Sequence, residues 1–127
     1  MTSAAVRGRG AGAKPENPRV ASAAALARFF KVLSDPTRLA ILHLLLERER
    51  SVGELVEQLE VPQSRVSNHL ACLRWCQFVE VDRMSRRGIY RVADPDKLRA
   101  VLAVAEAASL ENCDHLSSCS RIGPDWV

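Results

Sequence analysis

Four cysteines stand at positions 72, 76, 113 and 119 of a 127-residue chain. Cys72 and Cys76 are four apart, so a helix through them puts both on one face, with Cβ atoms about 5–6 Å apart. At that spacing rotamers can bring both sulfurs onto one ion. Thiolates are soft donors: an all-thiolate site favours Cd(II), Pb(II), Hg(II), Cu(I) or Zn(II) over Mg(II) or Mn(II). Two ligands alone hold a metal poorly. Cys113 and Cys119 are candidates for a third and fourth, with Asp114 and His115 between them. The plainer reading of the pair at 72 and 76 is two small buried hydrophobes. A reversible disulfide is a third reading, weakened by the lack of any CxxC motif.

A second group of residues lies just upstream. Gln63, Ser64, Arg65, Ser67, Asn68 and His69 fall in one short stretch. Gln and Asn can pair with adenine, Arg with guanine, and Ser with bases or phosphates. Downstream, Arg83, Arg86, Arg87 and Arg91 form a basic cluster suited to phosphate contacts. Arg7, Arg9, Lys14 and Arg19 in the first residues could also brush phosphates, although a solvated tail is the simpler reading. Polar residues on one helix face are often only its wet side. The order of the surrounding elements argues otherwise here.

Residues 1–19 lack periodicity and read as a disordered basic tail. A helix is predicted over 20–33, with Phe29, Phe30 and Leu33 as core or interface candidates. Asp35-Pro36 combines an N-cap with a first-position proline, which starts a second helix over 36–49. Ser51 and Glu54 match a capping box opening a short helix over 52–60. Val61-Pro62 makes a turn. A fourth helix over 63–76 carries the core stripe Val66, Leu70 and Leu73. The stripe Arg65, His69, Cys72, Cys76 flanks that core face. Two alternating strands, 78–82 and 89–93, bracket the basic turn. A last helix over 95–110 follows Asp94-Pro95, and 111–127 is a tail that carries Cys113 and Cys119.

Composition limits the alternatives. With 47% hydrophobic and 26% charged residues the chain is an ordinary globular one, and its length suits one core. The net charge of +3 is mild, so the placement of charge matters more than its size. Only 5% of residues are aromatic, which argues against a stacking platform for single strands. No apolar run is long enough for a membrane span, and no secretory signal is visible, so a cytoplasmic location with reduced thiols is expected. Gly-rich phosphate loops, HExxH and nucleophile motifs are missing, so catalysis is the least favoured class. A metal-buffering protein is a further alternative, which sequence-specific DNA binding would exclude.

The element order matches a mainly α, winged helix-turn-helix fold, in which the second helix of the unit reads the major groove. The stretches SDPTRLAILHLL, ELVEQL, QSRVSNHLACLR and GIYRVAD together resemble the ArsR/SmtB family of bacterial metal-sensing repressors, over about residues 26–95. The resemblance implies a homodimer paired through its first and last helices. It also implies a palindromic double-stranded operator, released when an inducer binds, and no membrane partner. It further implies that Gln63, Ser64, Arg65, Ser67, Asn68, His69, Arg83, Arg86 and Arg87 face DNA. Pro62 departs from the Ser or Thr cap that the family often places before the reading helix. The family's ELCxC site is lacking, because 54–59 holds no Cys. Its Asp/His site on the last helix is not reproduced by Asp96 and Glu106. The VSNHLxCLRxC arrangement is similar to the family's cadmium/lead sensors, which use two cysteines of the reading helix and one from the other subunit's tail. That implies Cys72 and Cys76 as ligands, with Cys119 and Cys113 competing for the third place. Cd(II) or Pb(II) is the expected inducer. Hg(II) or Zn(II), or thiol redox or persulfide sensing on the same fold, are the alternatives.

Overall fold

Three proline-led starts set the helical frame. The computed structural model describes residues 14, 16–84 and 86–119. The first helix, α1 (Pro18–Leu33), begins two residues earlier than predicted. Asn17 is the reason: its side-chain oxygen accepts a hydrogen bond from the Arg19 amide at 2.8 Å, ahead of a first-position proline. Arg19 is therefore helical, while Arg7 and Arg9 lie outside the described residues. The second helix, α2 (Pro36–Glu47), starts as expected: the Asp35 carboxylate caps it by accepting from the Arg38 amide at 3.0 Å. The capping box of α3 (Val52–Leu59) is complete in both directions, between Ser51 and Glu54.

Two bodies are described, residues up to Lys31 and residues from Val32 onward. In the first, the rings of Phe29 and Phe30 meet edge to face at 5.6 Å, and Val20, Leu26 and Phe30 are exposed. The second body holds the core. Ile41, Leu42 and Leu45 of α2, Leu55 of α3, and Val66, Leu70 and Leu73 of α4 (Gln63–Trp75) are buried together with Val79, Val92, Leu98 and Leu102. The predicted stripe on α4 is thus the buried one.

The two predicted strands form as β2 (Val79–Asp82) and β3 (Ile89–Val92), paired antiparallel with Val79 opposite Val92 and Asp82 opposite Ile89. A third strand joins them. The two residues of β1 (Arg50–Ser51) pair with Tyr90 and Ile89, giving the order β1-β3-β2. Two residues carry no periodicity, so β1 could not be read from the sequence. Arg50 is buried there, and its guanidinium donates to the Leu44 carbonyl at 3.0 Å and to Glu47 at 2.8 Å. The net effect ties the end of α2 to the sheet.

The end of the chain differs most from expectation. The last helix, α5 (Pro95–Ser117), continues well past residue 110, with a break in helical geometry at Asn112 (φ −127°, ψ 19°). Residues 111–117 are therefore not an irregular tail. No Gly or Pro interrupts them. The hydroxyls of Ser117 and Ser118 both donate to the Asp114 carbonyl, at 3.1 and 2.9 Å, closing the last turn. The tail beyond Cys119 lies outside the described residues. Among the described residues, no helix is long and apolar enough to cross a membrane.

Candidate DNA-reading helix and thiol pair

Burial of Val66, Leu70 and Leu73 sets the rotation of α4, and everything else on the helix follows from it. Gln63, Ser64, Arg65 and Asn68 are exposed along its first turns, and Ser67 is half-buried. The helix opens at Pro62 without any side-chain cap; only the Pro62 carbonyl is used, by the amides of Arg65 and Val66. The first amides of α4 are thus left to an outside acceptor, the condition in which a helix N-terminus suits a phosphate.

His69 is placed differently from its exposed neighbours. It is half-buried, and its Nε2 lies 3.8 Å from Asp35 Oδ1. The residue that caps α2 therefore also braces the middle of α4. Burial pushes the Asp35 carboxyl up, but the Arg38 amide, His69 and the Arg38 guanidinium outweigh it and hold it below the ordinary value.

Further along α4 the two thiols of the helix follow, at Cys72 and Cys76. Cys72 is half-buried; Cys76 is exposed and ends α4 as its C-cap, its amide donating to the Cys72 carbonyl at 2.9 Å. The helix thus stops one residue short of the predicted end. Gln77 then takes a left-handed turn (φ 65°) that leads into β2. The Cys72 thiol is close enough to act on the Cys76 thiol electrostatically. Partial burial and the neighbouring Cys72 thiol push the Cys76 thiol up, while Arg38 of α2 pulls it down. The donors present fit a soft ion, with two sulfurs converging on one helix face. Among the described residues, however, no group of three or more His, Cys, Asp or Glu is placed to hold a metal ion. Cys113 sits in the helical segment after Asn112, its Sγ 3.9 Å from Asp114 Oδ1, and Cys119 is half-buried just past the end of α5. Neither completes the pair within one chain, nor does Asp114 or His115.

The basic turn between β2 and β3 presents Arg83, Arg86 and Arg87, all exposed. Arg87 reaches back to Ser51 Oγ at 3.4 Å, and Arg91 pairs with Glu80 across the strands at 3.1 Å. Neither tether is legible in the sequence: Ser51 lies 36 residues before Arg87, and the Arg91–Glu80 pair depends on the register that sets the two residues opposite each other.

Residues 35–81, from the cap of α2 to the middle of β2, match the model of the bacterial regulatory protein arsR family. The chain is 40% identical over 96 residues to a probable mercury resistance operon repressor of Streptomyces lividans, covering 76% of each. The chain belongs to the ArsR family. It is a transcriptional repressor of that DNA-binding class, and not an enzyme. It is also 43% identical over 77 residues to the HTH-type transcriptional regulator CmtR of Mycobacterium tuberculosis, covering 61% of this chain and 65% of that one. Among solved structures it is similar to the homodimeric winged helix-turn-helix DNA-binding domain of a Mycobacterium bovis protein described as a possible ArsR-family regulator. That match has a TM-score of 0.61 and 30% identity, over 76% of this chain and 90% of that one.

The Asp35 pair makes a signed prediction. A carboxyl held below its unfolded value stabilises the fold at neutral pH, and that contribution is lost as pH falls through the depressed folded value. Asn keeps the cap but not the charge. Urea denaturation across pH should therefore find Asp35→Asn less stable than the parent at pH 7, with the gap closing in acid. A gap that persists at the lowest pH would show that the charge contributes nothing.

Proposed function

We propose that this chain is a homodimeric repressor that holds a palindromic operator through α4 and the β2–β3 turn. It lets the operator go when a soft thiophilic ion, Cd(II) or Pb(II), binds Cys72 and Cys76. Cys119 or Cys113 of the second copy supplies the missing thiolate. The observation that carries this reading is the convergence of two thiols at one end of the helix whose other end exposes Gln63, Ser64, Arg65 and Asn68. The dimer is supported by apolar side chains that each body leaves open: Val104, Leu110 and Leu116 on α5, and Val20, Leu26 and Phe30 on α1. A twofold dimer buries the same patch on both copies and matches a palindrome.

Holding an ion at the C-terminal end of α4 against the partner's tail displaces one reading helix relative to its twin. Two half-sites demand fixed spacing, so a small shift lowers affinity. The coupling expected is about 1–3 kcal/mol. Hg(II) is the second reading. It is favoured by the pairing of only two thiols among the described residues, and by the mercury-operon relative. Ranking release by Cd(II), Pb(II) and Hg(II) separates the two.

Labelled operator DNA provides the test. Cys72→Ser and Cys76→Ser should bind it as the parent does and fail to release it when metal is added. Full release of Cys72→Ser by metal would remove the site assignment, and release reversed by reductant but not by chelator would replace metal with thiol redox chemistry. The wing makes a separate prediction. Arg83→Ala and Arg86→Ala should each lower the slope of log K against log salt by about 1 and weaken all sequences alike. Unchanged slopes would take the turn off the phosphates.

A further inference from the structure

The last helix leaves the core partway along its length. Leu98 and Leu102 are the buried residues of α5, and every residue from 103 to 118 is exposed. Packing within the chain therefore does not aim the side chains of that second part; helical geometry does. In an unbroken α-helix Cys113 would stand about 20° from Leu102 around the axis. Its thiol would then lie on the stripe that α5 turns toward its own chain. The break at Asn112 (φ −127°, ψ 19°) intervenes one residue earlier. Its cause is local. With its amide oriented to donate, the Asn112 side-chain nitrogen lies 3.2 Å from both the Ala108 and the Ser109 carbonyl oxygens. A continuous helix gives those two carbonyls to the backbone amides of residues 112 and 113. Asparagine is a side chain that competes with the backbone in this way. In the same turn the Ser109 hydroxyl donates to the Glu106 carbonyl at 2.9 Å, and such back-bonding also bends helices.

Cys113 is the first residue beyond the break. It is exposed, and its Sγ lies 3.6 Å from the Leu110 carbonyl oxygen. Leu110 and Leu116, one on each side of it in the chain, are exposed as well, as a contact with a second copy requires. Cys119 is placed otherwise: it is half-buried past the end of α5, its amide donating to the Leu116 carbonyl at 3.3 Å. We propose that Asn112 is a positioning residue for the ion site. By breaking α5 it takes Cys113 off the stripe of Leu98 and Leu102 and lets that thiol face a second copy, where it completes the Cys72–Cys76 pair. This role rests on the soft-ion function proposed above, and it selects Cys113 over Cys119 as the third donor.

The affinity of the reduced full chain for Cd(II), measured by competition with a chelator, provides the test. Asn112→Ala removes the amide and supplies the best helix former; Asn112→Gly removes it equally but keeps the helix weak there. Asn112→Ala should bind Cd(II) roughly tenfold more weakly, the scale on which residues that orient a metal ligand act. Asn112→Gly should bind it as the parent does. Cys113→Ser should lose at least as much as Asn112→Ala. Combining the two should cost nothing further, because the thiol that Asn112 positions is already gone. Without metal, Asn112→Ala should bind operator DNA as the parent does. Parent-like Cd(II) affinity in Asn112→Ala, an equal loss in Asn112→Gly, losses that add to that of Cys113→Ser, or weakened metal-free operator binding would each overturn the role of Asn112. Cys72→Ser separates this role from the function it rests on. If the parent needs Cys72 for Cd(II) and Asn112→Ala matches the parent, the role of Asn112 alone fails. If Cys72→Ser binds Cd(II) as the parent does, the ion site fails and the role of Asn112 with it.

Discussion

The burial of one stripe on one short helix organises this molecule. Val66, Leu70 and Leu73 are the residues that α4 gives to the core, and they leave it a single rotation. Leucine truncation at such sites costs about 2–5 kcal/mol, which far exceeds any single polar contact on the opposite face. The apolar contact with α2 and α3 therefore decides which side chains reach solvent. Gln63, Ser64, Arg65 and Asn68 are outward by consequence, and the cysteines fall on the flank of the same stripe.

That flank is also where α2 touches the helix electrostatically. Asp35 caps α2 and lies against His69, and Arg38 of the same turn bears on Cys76. The middle of α4 and its thiol end are thus braced by neighbouring residues of one helix start. Under the proposed function, α4 would carry a reading surface at one end and soft donors at the other, with no separate relay. Displacing the donor end would then displace the reading end, and the two equilibria would be linked in both directions.

Much of this could be read from residue order. Asp35-Pro36, Ser51 with Glu54, and the i, i+4, i+7 stripe of α4 are local signals, and each formed the element it specifies. One local signal, the Asn17-Pro18 start of α1, is obscured by the low complexity around it. The other departures are of another kind. The two residues of β1, buried Arg50 and the Arg87–Ser51 tether depend on partners remote in the chain, which no periodicity encodes. The continuation of α5 beyond Asn112 rests on serine hydroxyls bonded to preceding carbonyls, where the sequence offers no breaker and no stop. For the candidate site, spacing alone placed Cys72 and Cys76 together. It could not say that neither Cys113 nor Cys119 joins them within one chain, because that is a matter of where α5 ends in space. His69, grouped with the exposed polar residues by sequence, is half-buried with Asp35 beside it.

The linkage between metal and operator can be measured from the side less often used. The affinity of reduced protein for Cd(II) is determined twice, once free and once saturated with operator DNA, by competition with a chelator of known affinity. The account predicts weaker metal binding in the operator complex, by the same factor by which metal weakens operator binding. Equal metal affinity in the two states would contradict it, and would leave the thiol pair on α4 without a regulatory role.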